Sequence, residues 1–430
     1  MTRNAEAALI VGAAALAAFA VALINLAFGR GIDAQVALTF LVFLIAFGSV
    51  HIAIRRWAPA SVPYLWAPAA VLAAVGFAEI YRLDARLAAL QRWWLLIAAG
   101  IAVSLLVALR KAGAAVLRRY RYVLLAIGLV LLVLPFLPET GPFPLHGNVV
   151  NGARLWVQLD LLGLRLSFQP AEAAKLLLII FLASYLAERR EVMVGTKDGR
   201  TARRPAVRQM VPVVAAWVIS VGVLAFQRDL GASLLLLAIV VAMLYAATGK
   251  SSFVWLGTGL FAGSALSAWF LFDHVQRRMV AWLSPFSDFE DAGFQMAQGL
   301  FALGTGSISG SGLGLGRPDL IPHATTDFVL AAVGEELGLA GTVAVVSLFT
   351  LLIGAAFGIA LRARDTFRKL LSTGLALLIG LQATLIIAGI LRLLPLTGVP
   401  LPFMSYGGSA LVGAFAALAL LTRVSHEEPR

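Results

Sequence analysis

The chain of 430 residues consists of long apolar runs separated by short polar segments. Twelve runs are long enough to cross about 30 Å of hydrocarbon as helices. They lie near residues 7–28, 35–54, 63–80, 93–109, 121–137, 172–187, 209–226, 230–247, 253–272, 329–361, 370–393 and 407–422. Because barrel strands would alternate apolar and polar residues in segments of about ten, this continuity predicts an all-α, polytopic membrane bundle of about twelve helices.

Composition agrees with a bilayer rather than an aqueous environment. Hydrophobic residues make up 60% of the chain, charged residues 13%, and the mean hydropathy is +0.91. The first run is longer than the apolar core of a typical signal peptide, so we interpret it as a retained anchor. The whole chain, 1–430, is expected to form one membrane domain.

The net charge of +12 arises mainly from two basic segments, 110–121 and 188–208. Lysine and arginine accumulate on the cytoplasmic side of membrane proteins, which predicts that both segments and both termini are cytoplasmic. Contact with anionic membrane lipids explains this charge better than nucleic-acid binding, so no nucleic-acid partner is expected. A minor alternative is that segment 188–208 binds a cytoplasmic protein.

Residues typical of metal and nucleotide sites are sparse. The chain has no cysteine, and its five histidines are too scattered for a histidine-pair metal site. The glycine-rich stretch "GTGSISGSGLGLG", 304–316, lacks the ending of a phosphate-binding loop and is better explained by tight turns. No dedicated metal site is predicted.

Two external segments, 138–171 and 273–327, are long enough to build a site. The second is predicted to be a large extracytoplasmic loop between the ninth and tenth helices. Its stretch "SPFSDFEDAGFQ", 284–295, concentrates Asp288, Glu290 and Asp291. Acids and nearby arginines on one face suit chemistry on an anionic, lipid-linked substrate. By themselves, these acids are better explained as the solvated surface of a loop.

Six stretches carry a resemblance to a known family. They occur in the order "NGARLW", "FQPAEAAKLLLI", "QRDLG", "SPFSDFEDAGFQ", "TTDFVLAAVGEELGLAG" and "PLTGVPLPFMSYGGSA", between residues 151 and 410. Together they resemble the signatures of the SEDS family, which includes FtsW, RodA and SpoVE. The resemblance implies a peptidoglycan glycosyltransferase that polymerises lipid II at the outer face of the bacterial cytoplasmic membrane.

The resemblance also assigns a catalytic residue. The family's essential external aspartate corresponds to Asp288 in the stretch Pro285-Phe286-Ser287-Asp288. Polymerisation removes a proton from the 4-hydroxyl of the acceptor sugar as it attacks the anomeric carbon of the donor. Asp288 is therefore the expected general base.

The leaving group is a lipid pyrophosphate, which needs cations nearby. Arg154 and Lys175 are the candidates. Glu172 lies three residues before Lys175, so on a helix the two share a face and can pair in a low-dielectric region. The pair either contributes to substrate binding or only holds helices together, and Arg154 either binds phosphate from an external turn or anchors the headgroup region. A divalent cation, Mg²⁺ or Mn²⁺, accompanying the pyrophosphate stays open.

Four further residues in the signatures are candidate substrate contacts. Asp229 lies between two helices and either contacts substrate or caps the second helix. Asp327 likewise either caps the helix that follows it or contacts substrate. Ser405 and Tyr406 belong to a segment whose prolines and glycines exclude a regular helix, so they line either a substrate groove or a packed re-entrant turn.

Departures from the family pattern qualify the resemblance. Thr325 replaces a common histidine, and Arg228 and Ala232 replace the usual proline and threonine around Asp229. About twelve helices, where ten are common, is most like the longer RodA-like members. Residues 1–60 then form an additional N-terminal helix pair, and 61–430 the SEDS core.

The expected partners follow from the resemblance: lipid II and a class B penicillin-binding protein, which is a transpeptidase. Two other functions stay open. A lipid II flippase would also need a polar cavity and buried charges, although a transporter would spread its ionisable groups along the helices. A purely scaffolding role is the third alternative.

Overall fold

A computed structural model describes residues 2–139, 144–150, 153–161, 164–194, 207–287, 289 and 293–428. These residues form fifteen α-helices and one small sheet. The helices are α1 (Arg3–Ala27), α2 (Ala34–Trp57), α3 (Trp66–Leu83), α4 (Ala85–Ala108), α5 (Val116–Arg119), α6 (Arg121–Val133), α7 (Pro170–Val194), α8 (Val207–Phe226), α9 (Leu230–Thr248), α10 (Ser252–Leu271), α11 (Asp273–Leu283), α12 (Phe294–Gly306), α13 (Val329–Arg362), α14 (Thr366–Ile390) and α15 (Gly408–Glu427). The strands are β1 (Leu145–Val150), β2 (Ala153–Leu161) and β3 (Leu164–Phe168).

The helices confirm a polytopic membrane protein. Ten of the described helices are long and apolar enough to cross a bilayer, and two shorter apolar helices cover Arg121–Phe136 and Val211–Phe226. Each of the twelve apolar runs in the sequence coincides with one of these helices. Helices dominate because backbone N–H and C=O groups have no water to bind within hydrocarbon and must pair inside the segment.

The described residues group into two compact units. The first contains Met1–Arg110, Leu266–Ala355 and Ile379–His426, and the second contains Lys111–Ala265, Ala356–Leu378 and Glu427–Arg430. Most of the basic segment predicted near 188–208, namely residues 195–206, lies outside the described residues.

An aromatic core holds the first unit together. Phe415 of α15 packs against Phe47 of α2, Trp66 of α3 and Phe403, with ring centroids 5.3, 5.4 and 6.2 Å away. Phe403 belongs to the segment between α14 and α15, so this core fixes that segment against three helices. Gly76 of α3 permits the contact, because a Cβ there would lie 2.3 Å from the carbonyl oxygen of Met404.

The second unit combines four packed helices with the sheet. A buried cluster joins α6, α7, α8 and α9; its members are Leu132, Ala171, Ala174, Leu178, Leu224, Ala232 and Leu236. The sheet is antiparallel in the order β1-β2-β3, and β3 leads directly into α7. Residues 138–171 were expected to be an external segment, and no strands were predicted there. Val157 of β2 is fully buried, which anchors the sheet at that position.

The predicted loop 273–327 also contains regular structure. It includes the helices α11 and α12 and a short 3₁₀ turn at Pro318–Leu320. The glycine-rich stretch makes tight turns, as expected, with positive φ at Gly310, Gly312 and Gly314.

Helix α13 is interrupted at Gly338, which has φ 68° and ψ −166°. The glycine-rich loop fills the interruption. Ser311 N and Gly312 N donate to the carbonyls of Glu335 and Glu336, and Leu339 N and Ala340 N donate to the carbonyls of Ser307 and Ile308. The backbone groups released by the break are therefore paired, as an apolar environment requires.

We expect Gly338→Ala to destabilise the protein by roughly 3 kcal/mol or more. A Cβ at this position would lie 2.3 Å from Gly310 N, and the backbone conformation is one that only glycine adopts readily. Thermal unfolding in detergent measures the effect. Gly354→Ala is the matched control, because that helical glycine has no atom within 4 Å of an added Cβ. Equal melting temperatures for the two variants would contradict the role assigned to the break.

Candidate active site

In the second unit, Glu172 and Lys175 form the predicted ion pair. Lys175 Nζ lies 2.9 Å from Glu172 Oε1, and both side chains are buried in the first turns of α7. The pairing is thereby confirmed. A buried charge pair tolerates the loss of one partner poorly, because the remaining charge is left without compensation.

Asp229 caps α9. Its Oδ1 accepts a hydrogen bond from Ala232 N at 2.9 Å. Capping was one of the two roles that the sequence left open. The buried cluster contains Ala171 and Ala174, which flank Glu172 and Lys175, together with Leu224 and Ala232, which flank Asp229. Asp229 therefore lies at the same end of the second unit as the Glu172–Lys175 pair.

Arg154 lies in a strand rather than in the external turn that was expected. It is the second residue of β2, whose first residue pairs with Val150 of β1. The Arg154 side chain is exposed. The strand fixes the backbone of Arg154 and leaves its guanidinium group accessible to an anion.

In the first unit, Asp327, Ser405 and Tyr406 are brought together. Tyr406 N donates to the carbonyl of Thr325 at 2.8 Å, and the Ser405 hydroxyl donates to the carbonyl of Thr326. Ser405 also accepts a hydrogen bond from Leu401 N and is buried. Ser405 therefore fastens the segment before α15 to the segment before α13.

Arg278 of α11 adds a cation that the sequence reasoning did not select. Its Nη1 donates to the carbonyl of Thr397 at 3.1 Å. A Cβ placed on Gly398 would lie 3.3 Å from Arg278 Nη2 and 3.9 Å from Asp327 Oδ2, so both side chains approach this glycine. The available signal was the Arg277-Arg278 pair in the predicted external segment. The site thus has an exposed arginine next to a partly buried carboxylate.

Asp288, Glu290 and Asp291 lie outside the described residues, but both sides of this stretch are placed. On the N-terminal side, Arg392 donates to the carbonyls of Trp282 and Leu283 at the end of α11, each at 2.7 Å. Trp282 Nε1 in turn donates to the carbonyl of Arg392 at 3.1 Å. This reciprocal contact, the Trp282–Arg392 clamp, fixes the helix end five positions before Asp288.

Aromatic contacts place the residues that immediately flank Asp288. Phe286 and Phe289 both pack on Phe301 of α12, with ring centroids 5.7 and 6.2 Å away. Phe289 also meets Phe294 edge to face. Such contacts stabilise by about 0.5–1.5 kcal/mol each beyond area burial. The segment is therefore anchored to α12 on both sides of the predicted general base.

Two of the candidate site residues, Asp327 and Tyr406, have shifted pKa values. Burial raises the pKa of Asp327, against the opposing charges of His323 and Arg278. Burial also raises the pKa of Tyr406, and the charge of Asp84 adds to the effect. Tyr406 is therefore a neutral phenol near pH 7, able to donate a hydrogen bond to a sugar or phosphate oxygen.

The family of the chain follows from comparison with known proteins. The model of the FtsW/RodA/SpoVE family, described as cell cycle protein, matches residues 64–430. The chain belongs to the FtsW/RodA/SpoVE family.

Similar proteins of this family are named peptidoglycan glycosyltransferases. It is 40% identical to the peptidoglycan glycosyltransferase RodA of Mycobacterium bovis, over 99% of this chain and 90% of that protein. It is 37% identical to the probable peptidoglycan glycosyltransferase FtsW of a Geobacter species, strain M18, over 69% of this chain and 76% of that protein. Its similarity to RodA therefore extends over nearly its full length.

Solved structures share the fold. Thermus thermophilus RodA, a rod shape determining protein, superposes with a TM-score of 0.57 at 26% identity, covering 86% of this chain and 98% of that one. A chain from a peptidoglycan synthase complex, described as coordinating polymerization and crosslinking, superposes with a TM-score of 0.66 at 26% identity, covering 86% and 99%. These matches support the all-α, multi-pass membrane architecture of this family member.

The raised pKa of Asp327 predicts a specific pH dependence of stability. A carboxyl whose pKa is higher in the folded state stabilises the fold at low pH, and this contribution is lost as pH rises from the usual value of 3.8 through the folded-state pKa. Asp327→Asn keeps a neutral side chain at every pH. We therefore expect the melting temperature of the variant to increase relative to that of the wild type as pH rises from about 4 towards 7.

The control for this measurement is Asp273→Asn, which removes an exposed carboxylate at the start of α11. The melting temperature of Asp273→Asn should change with pH in the same way as that of the wild type. Parallel curves for wild type and Asp327→Asn across this range would rule out the assigned shift.

Proposed function

We propose that this chain is a peptidoglycan glycosyltransferase that polymerises lipid II into glycan strands at the outer face of the bacterial cytoplasmic membrane. The observation that carries the proposal is 40% identity over 99% of the chain to a protein with that activity in its name. The anchored segment around Asp288 and the exposed arginines support it. Both termini are cytoplasmic in this topology, which the basic segments support.

The reaction forms a bond between the 4-oxygen of the acceptor sugar and the anomeric carbon of the donor. The bond from that carbon to the pyrophosphate breaks, and undecaprenyl pyrophosphate leaves with the electron pair. Asp288 takes the proton of the acceptor hydroxyl. A carboxylate is a weak base near pH 7, so its placement next to the hydroxyl decides its effectiveness.

Cations stabilise the pyrophosphate as its charge develops. Arg154 and Arg278 are exposed guanidinium groups that can bind phosphate oxygens in bidentate fashion. Lys175 and Glu172 form a buried pair that can exchange its internal contact for one with the substrate. Asp229 acts as a positioning residue through its cap on α9. Ser405 acts similarly, because it fastens the segment that carries Tyr406 to the segment that carries Asp327.

A divalent cation fits these donors only as a companion of the substrate. Among the residues that the structure describes, no three His, Asp or Glu side chains come together as a metal-ligand set. Mg²⁺ or Mn²⁺ bound to pyrophosphate oxygens and one carboxylate is compatible with such a site and would neutralise phosphate charge.

A class B penicillin-binding protein is the proposed partner. The support is the structural similarity to a chain from a peptidoglycan synthase complex in which polymerization and crosslinking are coordinated. The transpeptidase would crosslink the strands that this chain makes.

The central test is lipid II polymerisation by the purified protein with its transpeptidase partner. Asp288→Asn should reduce the rate by roughly 10²–10⁴ because the general base is lost. The matched control, Asp273→Asn, removes an exposed acid from the same external segment and should polymerise at the wild-type rate. Equal glycan synthesis by Asp288→Asn and wild type would overturn the assignment of the base. If neither makes glycan while lipid II crosses vesicles, the chain is a flippase.

The Trp282–Arg392 clamp makes Arg392 a positioning residue. Arg392→Gln loses two hydrogen bonds to the end of α11, so we expect kcat to fall by roughly 10–100-fold with little change in KM. Arg392→Lys, which keeps the charge and one donor, should recover part of kcat. Arg362→Gln, at an exposed position that ends α13, serves as the control. A change in KM alone would show that Arg392 binds substrate instead.

A further inference from the structure

An arginine-lined pocket lies in the second unit, away from Arg154 of the same unit. It is an open pocket of about 420 Å³ lined by Ala115, Arg118, Arg119, Arg121 and Tyr122. Three of its five lining residues are arginines, from α5 and the first position of α6. A pocket of this size accommodates a phosphate-containing headgroup.

The charge in this pocket is only partly neutralised. Arg121 pairs with Glu188 and lies over the ring of Tyr122, 4.9 Å from its centroid. In the part of the chain that the structure describes, neither Arg118 nor Arg119 forms an ion pair with an acid, and both are exposed. Two guanidinium groups are thus available to an anion, and guanidinium groups match phosphate oxygens in bidentate fashion.

A lipid-facing stripe begins at the pocket. Val123, Ile127 and Val130 are 55%, 45% and 62% exposed and recur at helical spacing along α6. Because α6 is one of the apolar helices of a membrane protein, this exposed apolar stripe is suited to contact acyl chains. A phospholipid whose chains lie along the stripe has its phosphate at the level of Arg118 and Arg119.

The pocket is separate from Arg154, the exposed cation of the same unit that is proposed to bind pyrophosphate. The 13 residues of α6 span about 20 Å, with the pocket at the N-terminal end. At the other end, the turn Leu134–Phe136 packs on the sheet, where Gly147 lies against the carbonyls of Pro135 and Leu137. The sheet carries Arg154. The pocket and the sheet with Arg154 therefore lie at opposite ends of α6.

We propose that Arg118, Arg119 and Arg121 form a binding site for the phosphate of an anionic phospholipid. The uncompensated guanidinium groups select an anionic headgroup over a zwitterionic one, and the apolar stripe selects a lipid over a soluble phosphate. Tyr122 lies at the level where aromatic side chains accumulate in membrane proteins. The site goes beyond the glycosyltransferase reaction and does not depend on it.

The test measures lipid retention by the full-length protein with native mass spectrometry. The probe is phosphatidylglycerol, compared with phosphatidylcholine and with inorganic phosphate as a competitor. The wild type should bind phosphatidylglycerol more tightly than phosphatidylcholine, and inorganic phosphate should not displace the lipid. The double variant Arg118→Gln, Arg119→Gln should bind phosphatidylglycerol about tenfold or more weakly, because charge-assisted hydrogen bonds are lost.

The matched control is Arg110→Gln, Lys111→Gln, which removes the same charge from the same basic segment without touching the pocket. It should weaken binding by less than about threefold, as delocalised attraction predicts. Arg118→Lys, Arg119→Lys keeps the charge but not the planar fork and should give an intermediate affinity; it also serves if the glutamine variant does not fold. Equal losses in the glutamine double variant and the control would overturn the site, as would equal retention of the two lipids. Full displacement by phosphate would instead show a soluble anion site.

Discussion

The break in α13 at Gly338 is the constraint on which the first unit depends. A helix interrupted within an apolar environment exposes backbone donors and acceptors, and each costs free energy if it is not paired. Here the loop 307–317 supplies the partners. Glu336 accepts from Gly314 N and from Arg82, and Glu335 accepts from Arg317 N. The carboxylates of Glu335 and Glu336, which would be costly to bury unpaired, thus bind the loop at the interruption of α13.

The first part of α13 also supports α12, the helix on which the residues flanking Asp288 pack. Helix α12 packs closely on the first part of α13, because a Cβ on Gly306 would meet the carbonyl of Gly334 and one on Gly299 would meet the ring of Phe328. Helix α12 carries Phe301, on which the residues flanking Asp288 pack. The residues that flank the predicted base are therefore linked through α12 to the broken helix, and not only to the clamp at the end of α11.

The sequence was most informative where interactions are local. Apolar runs predicted the long apolar helices of the described residues, because hydrocarbon permits little else. The spacing of Glu172 and Lys175 predicted their pair, and the position of Asp229 before an apolar run allowed its cap. The hairpin of β1 and β2 was missed, although Asn151-Gly152 between alternating segments is a known turn signal. The length of the external segment 138–171 does not by itself indicate that part of it forms the strands β1, β2 and β3.

Contacts between distant segments were not predictable. Gly338 lies inside a continuous apolar run, where a glycine is compatible with a helix, and only the loop thirty residues earlier gives it a different conformation. Arg278 gained its position from the segment near Gly398, more than a hundred residues later. Such pairs depend on how helices pack, and no local pattern encodes that.

The distribution of charge along α6 indicates which end of this helix is cytoplasmic in the proposed topology. The basic pocket lies at one end of this helix and the sheet with Arg154 at the other. Lysine and arginine accumulate on the cytoplasmic side, so the pocket end is the cytoplasmic end in the proposed topology. The sheet, the first turn of α7 and the cap of α9 then lie on the outer side, which is the side proposed for glycan synthesis. In that topology, the arginines proposed to bind a phospholipid also help to place Arg154 and Lys175 on the face where the proposed reaction releases its pyrophosphate.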